Sequence, residues 1–219
     1  MSESTRSTTS RSKIQIATGE LLRWSIAVLL AVMLIDTWCL GGLLAPLIVV
    51  SESMAPTLRG PHAQWDCAEC GRSFTCEIES ITHRRDTQCP HCGAPADQQA
   101  ARIVSGDRVL VDRAAYAWRA PERFEIVVAQ NPDDPRTLCV KRVVGLPGES
   151  LRMAGGDLWH DGHLMPRIAR DVYYTTGELS AQLADDEYYL LGDNSSQSRD
   201  SRDWSAVPAN SIIGRAMHW

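Results

Sequence analysis

From Trp24 to Leu44 the chain carries one charged residue, Asp36, in the run WSIAVLLAVMLIDTWCLGGLL. About 20 apolar residues are what a helix needs to cross a bilayer, so a membrane-spanning helix is expected over 21–44. Arg6, Arg11, Lys13 and Arg23 precede the run, against Glu3 and Glu20. That excess of positive charge keeps the N-terminal end inside and sends the remainder outside. A cleaved secretory leader also has a basic start and an apolar run. Cutting after Ala45, however, would fall almost inside the polar motif beginning at Ser51. Asp36 is expected near the outer interface, where charge costs less than at the bilayer centre. Residues 1–20 are rich in Ser, Thr and Arg and read as a disordered cytoplasmic tail.

After the apolar run, helical periodicity gives way to short β-branched and aromatic runs. They are 47–50, 108–112, 125–129, 138–144, 187–191 and 211–217. Runs of this kind between turn residues read as strands. Asp161-Gly162 between 157–160 and 163–165 reads as a two-residue hairpin turn. The expected fold is mostly β, behind one N-terminal transmembrane helix. Its expected parts are 45–58 and 106–219, with an insertion at 59–105. The formal net charge of −5 argues against a nucleic-acid partner, which calls for a basic surface.

The insertion holds five of the seven cysteines. Cys67-x-x-Cys70 and Cys89-x-x-Cys92 lie 18 residues apart, each pair followed by glycine, Gly71 or Gly93. This is the spacing of a tetrahedral structural zinc site. A two-residue gap lets both thiolates reach one ion, and the metal would replace a core the segment is too small to build. His62, Cys76, His83 and His91 are lesser alternatives. Disulfides are the competing reading, since the segment is expected outside the cytoplasm. A catalytic zinc is not expected: four sulfur ligands leave no open position, and no His-Glu-x-x-His run exists. Five arginines against six acids over 59–105 leave no basic face for nucleic acid. Cys39 and Cys139 read as packed apolar residues.

Ser53 lies in SESMAPTL (51–58) directly behind the apolar run, and Lys141 opens KRVVGLPGE (141–149). A serine hydroxyl needs a base to become a nucleophile. Lysine can be that base only when neutral, and burial among apolar residues lowers its pKa toward that state. Lys141 has Leu138, Val140, Val143 and Val144 around it in sequence. Taken singly, Ser53 also suits a turn and Lys141 a solvated edge strand.

Four ordered blocks carry a resemblance: SESMAPTL, GDRVLVDR (106–113), KRVVGLPGE, and GDNSSQSRDSR (192–202) with DWSAVP after it. The chain resembles bacterial type I signal peptidases over roughly 20–58 and 106–219. The resemblance implies a signal-peptidase-like β catalytic domain in the cytoplasmic membrane, single-pass, catalytic on the periplasmic face. Its substrates would be secretory precursor proteins, cut after small-residue Ala-x-Ala sites. It implies Ser53 as nucleophile, Lys141 as general base, Ser51 as oxyanion donor and Ser198 as the partner orienting Lys141. Asp200 and Arg202 would be a supporting ion pair. Val49, Val50 and Met54 on one side, and Leu138, Cys139 and Val140 on the other, would bind substrate as an added strand. No catalytic cofactor is implied. The partners are precursor and membrane lipid. Val50, Glu52 and Asp203-Trp204-Ser205 depart from the family's usual residues without removing a reacting group. The zinc-ribbon-like insertion is absent from the best-known members. A self-cleaving repressor would need a DNA-binding motif that this chain lacks. A non-catalytic membrane protein presenting the zinc ribbon is the remaining alternative.

Overall fold

The computed structural model describes residues 6–35, 41–78, 87–97, 100–166 and 178–218. Two compact units result, Met1–Leu44 and Ala45–Trp219. The first is helical: α1 spans Arg6–Leu34 and α2 spans Gly41–Leu43. Helix α1 thus begins inside the stretch expected to be a disordered tail. Ser and Thr oppose helix only modestly, Arg and Lys favour it, and the stretch runs directly into Leu and Ala, which favour it too. Its apolar side chains from Leu21 to Leu34 are all about half exposed or more, on every side of the helix. No helix among the described residues is long and apolar enough to cross a membrane. The expected span 21–44 passes through residues 36–40, and these, with Cys39, lie outside the described residues.

The second unit is mostly β. Fourteen strands among the described residues form three sheets. The largest has seven strands: β1 (Leu44–Ile48), β5 (Arg108–Asp112), β14 (Ile212–His218), β6 (Ile126–Asn131), β7 (Asp134–Gly145), β12 (Glu187–Leu191) and β13 (Val207–Pro208), in that order. Every long strand expected from sequence is here. Strand β14 lies between β5 and β6, so the C-terminus closes the sheet from within. Val127, Val143 and Leu190 pack with Tyr188 on one buried cluster, and Val144, Leu151, Tyr189 and Leu191 on another. Alternation along β12 and β7 feeds both, as the two-residue period of a strand requires.

Strand β7 is the key element. Its first half is exposed and its last five residues, from Lys141 to Gly145, are buried. The strand therefore leaves the core as an arm, and Lys141 stands where the arm meets the core. A four-stranded sheet follows, β10 (His163–Leu164), β9 (Asp157–His160), β8 (Ser150–Ala154) and β11 (Leu179–Gln182). Asp161 and Gly162 turn between β9 and β10 with φ of 45° and 78°. Two positive φ values are what a tight I′ hairpin demands, and Asp-Gly supplies them cheaply.

The third sheet is β3 (Ser73–Glu77), β2 (His62–Asp66) and β4 (Arg102–Val104), all inside the segment expected as an insertion. Its strands were not expected from sequence: His62–Asp66 and Ser73–Glu77 do alternate polar with apolar residues, but each run is only five residues long and holds one β-branched residue at most. Ala63, Trp65, Phe74 and Cys89 form its small core, with Trp65 stacked on Phe74 at 5.4 Å.

Candidate active site

Ser53 sits in a single 3₁₀ turn, Glu52–Met54, packed against β7. Met54 is fully buried beneath it and anchors the turn in the core with Val49, Leu58 and Val109. Ser53 is itself buried, and its Oγ lies 3.2 Å from Ser51 Oγ. Its carbonyl accepts the Asn194 N–H at 3.0 Å, so the loop after β12 is tied to the Ser53 turn. Gly192 permits this closeness. A Cβ there would lie 2.4 Å from the Ser53 carbonyl oxygen and 2.1 Å from Ser198 Oγ.

Lys141 is 4 % exposed. Its Nζ donates to Ser198 Oγ at 3.2 Å, and that hydroxyl donates to Asp200 Oδ2 at 2.7 Å. Asp200 is completely buried and also accepts the Gly192 N–H at 2.9 Å. Arg202 closes the chain with Nε and Nη2 on the two carboxylate oxygens at 2.7 and 2.8 Å. The same carboxylate caps α3 (Ser201–Trp204) and forms a capping box with Asp203. Ser198 is thereby held as acceptor toward Lys141, since its proton is committed to Asp200.

Burial pushes the Lys141 amine below the ordinary lysine pKa; nearby Cys139, Asp200 and Asp193 oppose this without reversing it. For Asp200 burial acts upward, but the Arg202 guanidinium and the Gly192 and Ser198 bonds prevail and hold its carboxyl low. Lysine tending to neutrality and aspartate fixed as anion is the division that base chemistry calls for.

A second buried network was missed in the sequence. Arg142 donates to both oxygens of Asp193, at 2.8 and 2.5 Å, and to the Phe124 carbonyl at 2.8 Å. Thr57 Oγ1 donates to Asp193 Oδ2 at 2.5 Å. Thr57 follows the Ser53 turn, Arg142 follows Lys141 and Asp193 precedes Asn194. One ion pair thus joins the three blocks from behind. The only signal in sequence was that each residue lies inside one of the ordered blocks.

Ser51, Ser53 and Lys141 line one cleft of about 520 Å³. Val49, Val50, Met54, Leu138, Cys139 and Val140 line it too, so every residue expected to bind substrate is brought there. Val50 and Leu138 present exposed side chains, whereas Val49 and Met54 are buried in its floor. Cys139 adds a half-buried thiol whose pKa is raised by burial.

The four cysteines of the insertion meet as well. Sγ atoms of Cys67, Cys70, Cys89 and Cys92 all lie within 4.8 Å of one another. Cys67 and Cys92 approach to 3.5 Å, Cys70 and Cys89 to 3.7 Å. Sulfurs on a tetrahedron at ~2.3 Å from zinc would be about 3.8 Å apart, so the donor set fits that ion. The two halves repeat one geometry: Gly71 and Gly93 N–H donate to the Cys67 and Cys89 carbonyls at 2.8 Å, with φ of 68° and 77°. None of the four is in a disulfide. A backbone N–H from Cys70 lowers the Cys67 thiol to about 7, whereas at Cys92 the Ala94 N–H is outweighed by hydrogen bonds to the neighbouring thiols, which raise it to about 12. Cys76 lies on β3, His62 bonds the Gly60 carbonyl and His91 is exposed; His83 lies outside the described residues.

The signal peptidase, peptidase S26 family model matches residues 91–219. That is more than half of the chain. The chain belongs to the signal peptidase S26 family. The family match contains Lys141, Ser198, Asp200 and Arg202, and begins after the Ser53 turn. Among curated relatives, a probable signal peptidase I-2 of Synechocystis sp. is 34% identical over 131 residues, covering 56% of this chain and 59% of that one. A signal peptidase I of Leptolyngbya laminosa is 32% identical over 133 residues, 56% of this chain and 64% of that one. A mitochondrial ATP-independent inner membrane protease subunit 1b of Arabidopsis thaliana is 28% identical over 113 residues, covering 52% and 58%. The match to each of these therefore spans about three fifths of the relative's length. Among solved structures, a signal peptidase I of Enterococcus faecalis V583 aligns with TM-score 0.39 and 24% identity. It covers 44% of this chain and 97% of that one.

Proposed function

We propose that this S26 family member is a serine endopeptidase that removes signal peptides from secretory precursors. In this reading Ser53 Oγ attacks the scissile carbonyl and the neutral Lys141 amine takes its proton. The Ser51 hydroxyl and the Ser53 N–H then receive the oxyanion of the tetrahedral intermediate. Ser198 holds Lys141, and Asp200 with Arg202 holds Ser198. Substrate lies as a strand between Val49–Ser51 and Leu138–Val140, its small side chains facing the apolar floor. The single observation that carries this is the hydrogen-bonded line from a buried lysine through Ser198 to Asp200, opening on the cleft that also holds Ser53. No step calls for a cofactor. The four-cysteine cluster holds one structural zinc.

We further infer that the N-terminal segment anchors the enzyme in the cytoplasmic membrane, single-pass, N-terminus inside, with the catalytic unit on the outer face. The support is the apolar run Trp24–Leu44 behind four cations, and an α1 whose apolar residues lie on every side. Such a helix needs apolar surroundings. An N-terminal sequence starting at Ala45 or Pro46 in purified protein would overturn this anchor.

The deciding experiment incubates detergent-solubilised full-length protein with a secretory precursor and maps the cut. Cleavage after an Ala-x-Ala site is expected, with a rate that climbs through an acidic limb as Lys141 loses its proton. The midpoint should fall below the ordinary lysine range, because burial disfavours the ammonium. Undiminished turnover by Lys141→Ala would refute the mechanism.

A further inference from the structure

The four-cysteine module is joined to the larger sheet's unit by two very short links, one from the Ser53 loop and one to β5. Gly60-Pro61 leads into β2 at His62, and Ser105-Gly106 leads away from β4 at Val104. Between the links the chain is tied to itself. The Arg59 N–H donates to Asp107 Oδ2 at 2.8 Å, and the Asp107 N–H donates to the Arg59 carbonyl at 2.8 Å. The Asp107 carbonyl in turn accepts the Val49 N–H at 2.9 Å. Arg59 also reaches into the module, where Nη1 donates to Thr75 Oγ1 at 2.9 Å on β3.

Packing at the two links leaves no play. A Cβ on Gly60 would lie 2.9 Å from the Ser51 carbonyl carbon, and one on Gly106 would lie 1.9 Å from the Val49 carbonyl oxygen. Val49 and Ser51 are the backbone that leads into Ser53 and forms one wall of the cleft. The module thus rests on the back of that wall at both of its ends.

We propose that zinc held by Cys67, Cys70, Cys89 and Cys92 turns this module into a clasp that fixes the Val49–Ser51 backbone for substrate, with Asp107 and Arg59 as positioning residues. The role of that backbone in binding substrate rests on the peptidase reading above. The physical reason for metal dependence is the size of the core. Among the described residues the apolar core beneath the knuckles is Ala63, Trp65, Phe74 and Cys89. A core that small does not order residues 61–105 by itself, and ligation supplies the folding energy instead. With zinc, Arg59 and Asp107 are the base of a rigid hairpin-like unit. Without it they are the two ends of a long loose loop, and holding such ends together costs conformational entropy.

The test uses full-length protein in detergent, zinc-loaded and chelator-stripped. Zinc is counted by elemental analysis, backbone amide exchange is followed across 47–53, and kcat and KM are measured on a precursor peptide. One zinc per chain is expected. Stripping should speed exchange at 47–53 and raise KM by about tenfold, the ordinary scale of coupling between sites. The acidic limb of kcat should stay in place, because Lys141 and Ser198 lie outside the module. Asp107→Ala keeps every cysteine; it should bind one zinc yet show the faster exchange and the raised KM. Zinc absent at one per chain would overturn the clasp, as would exchange at 47–53 that ignores zinc removal. If no precursor is cleaved by any form, the peptidase reading falls, and the exchange result still decides the clasp.

Discussion

Around Lys141 polar groups are sunk in a seven-stranded sheet: Lys141, Arg142, Asp193 and Asp200 are each 7 % exposed or less. Around Cys67 the arrangement is reversed, with Cys70 and Cys92 exposed at the surface of a three-stranded sheet. The first centre is held by packing and by hydrogen bonds among its own members. Its low dielectric is also what moves the lysine toward neutrality. The second has little core to draw on, and its four converging sulfurs repel one another as thiolates unless a cation sits among them. A reacting group must be both fixed and electrostatically perturbed, which takes a deep core. A bracing group needs only to be fixed, and an ion can do that at the surface.

If this contrast holds, the largest effects belong to the buried centre. Ser53→Ala and Lys141→Ala should each lower precursor cleavage by about 10⁴-fold or more while the domain stays folded, the scale for losing a member of a catalytic pair. Asp193→Ala should cost roughly 3–5 kcal/mol of stability by denaturant titration, because it strands Arg142 in the interior. Ser51→Ala should slow cleavage by about 10²–10³-fold in kcat without loss of stability, the usual cost of one oxyanion donor. Cys89→Ser sharpens the comparison from the other side. It should weaken zinc binding by about 10²-fold or more and melt β2–β4, yet leave the circular dichroism of the larger sheet and the Lys141 pH limb unchanged. A lost seven-stranded sheet in that variant would mean the two regions are one cooperative unit.

The smallest effect concerns stability and pH. Burial sets the folded pKa of Lys141 below its unfolded value. Between those two values the unfolded chain binds more protons, so stability rises with pH across that window and is penalised below it. Lys141→Met should therefore raise stability by about 1 kcal/mol at neutral pH. The gain should fade as pH climbs to the ordinary lysine range. A gain independent of pH would mean that packing, and not charge, was relieved.

Much of this was legible in the residues alone. Runs of β-branched, aromatic and leucine residues between turns announced β5, β6, β7, β12 and β14, since side-chain alternation and branching are local properties. The Cys-x-x-Cys pairs with their glycines announced converging sulfurs for the same reason: a two-residue gap and a positive φ define a knuckle within a few residues. The roles proposed for Ser53, Lys141, Ser51 and Ser198 came only through likeness to a family, because a lone serine or lysine carries no geometric signal. The Arg142–Asp193–Thr57 network was not legible at all. Its members lie 51 and 136 residues apart in pairs, and nothing local couples them.

What the sequence determined by itself, then, is a set of short-range conformations: strands, the Asp161-Gly162 turn and two metal-ready knuckles. Their causes are steric and act within a few bonds. Only the tertiary structure decided that β7 leaves the core at Lys141, that Gly192 lets Ser198 and the Ser53 turn come together, and that the module's links press on Val49 and Ser51. Those outcomes depend on strand order and on the burial it creates, and burial is a property of the assembled sheet that no single segment possesses.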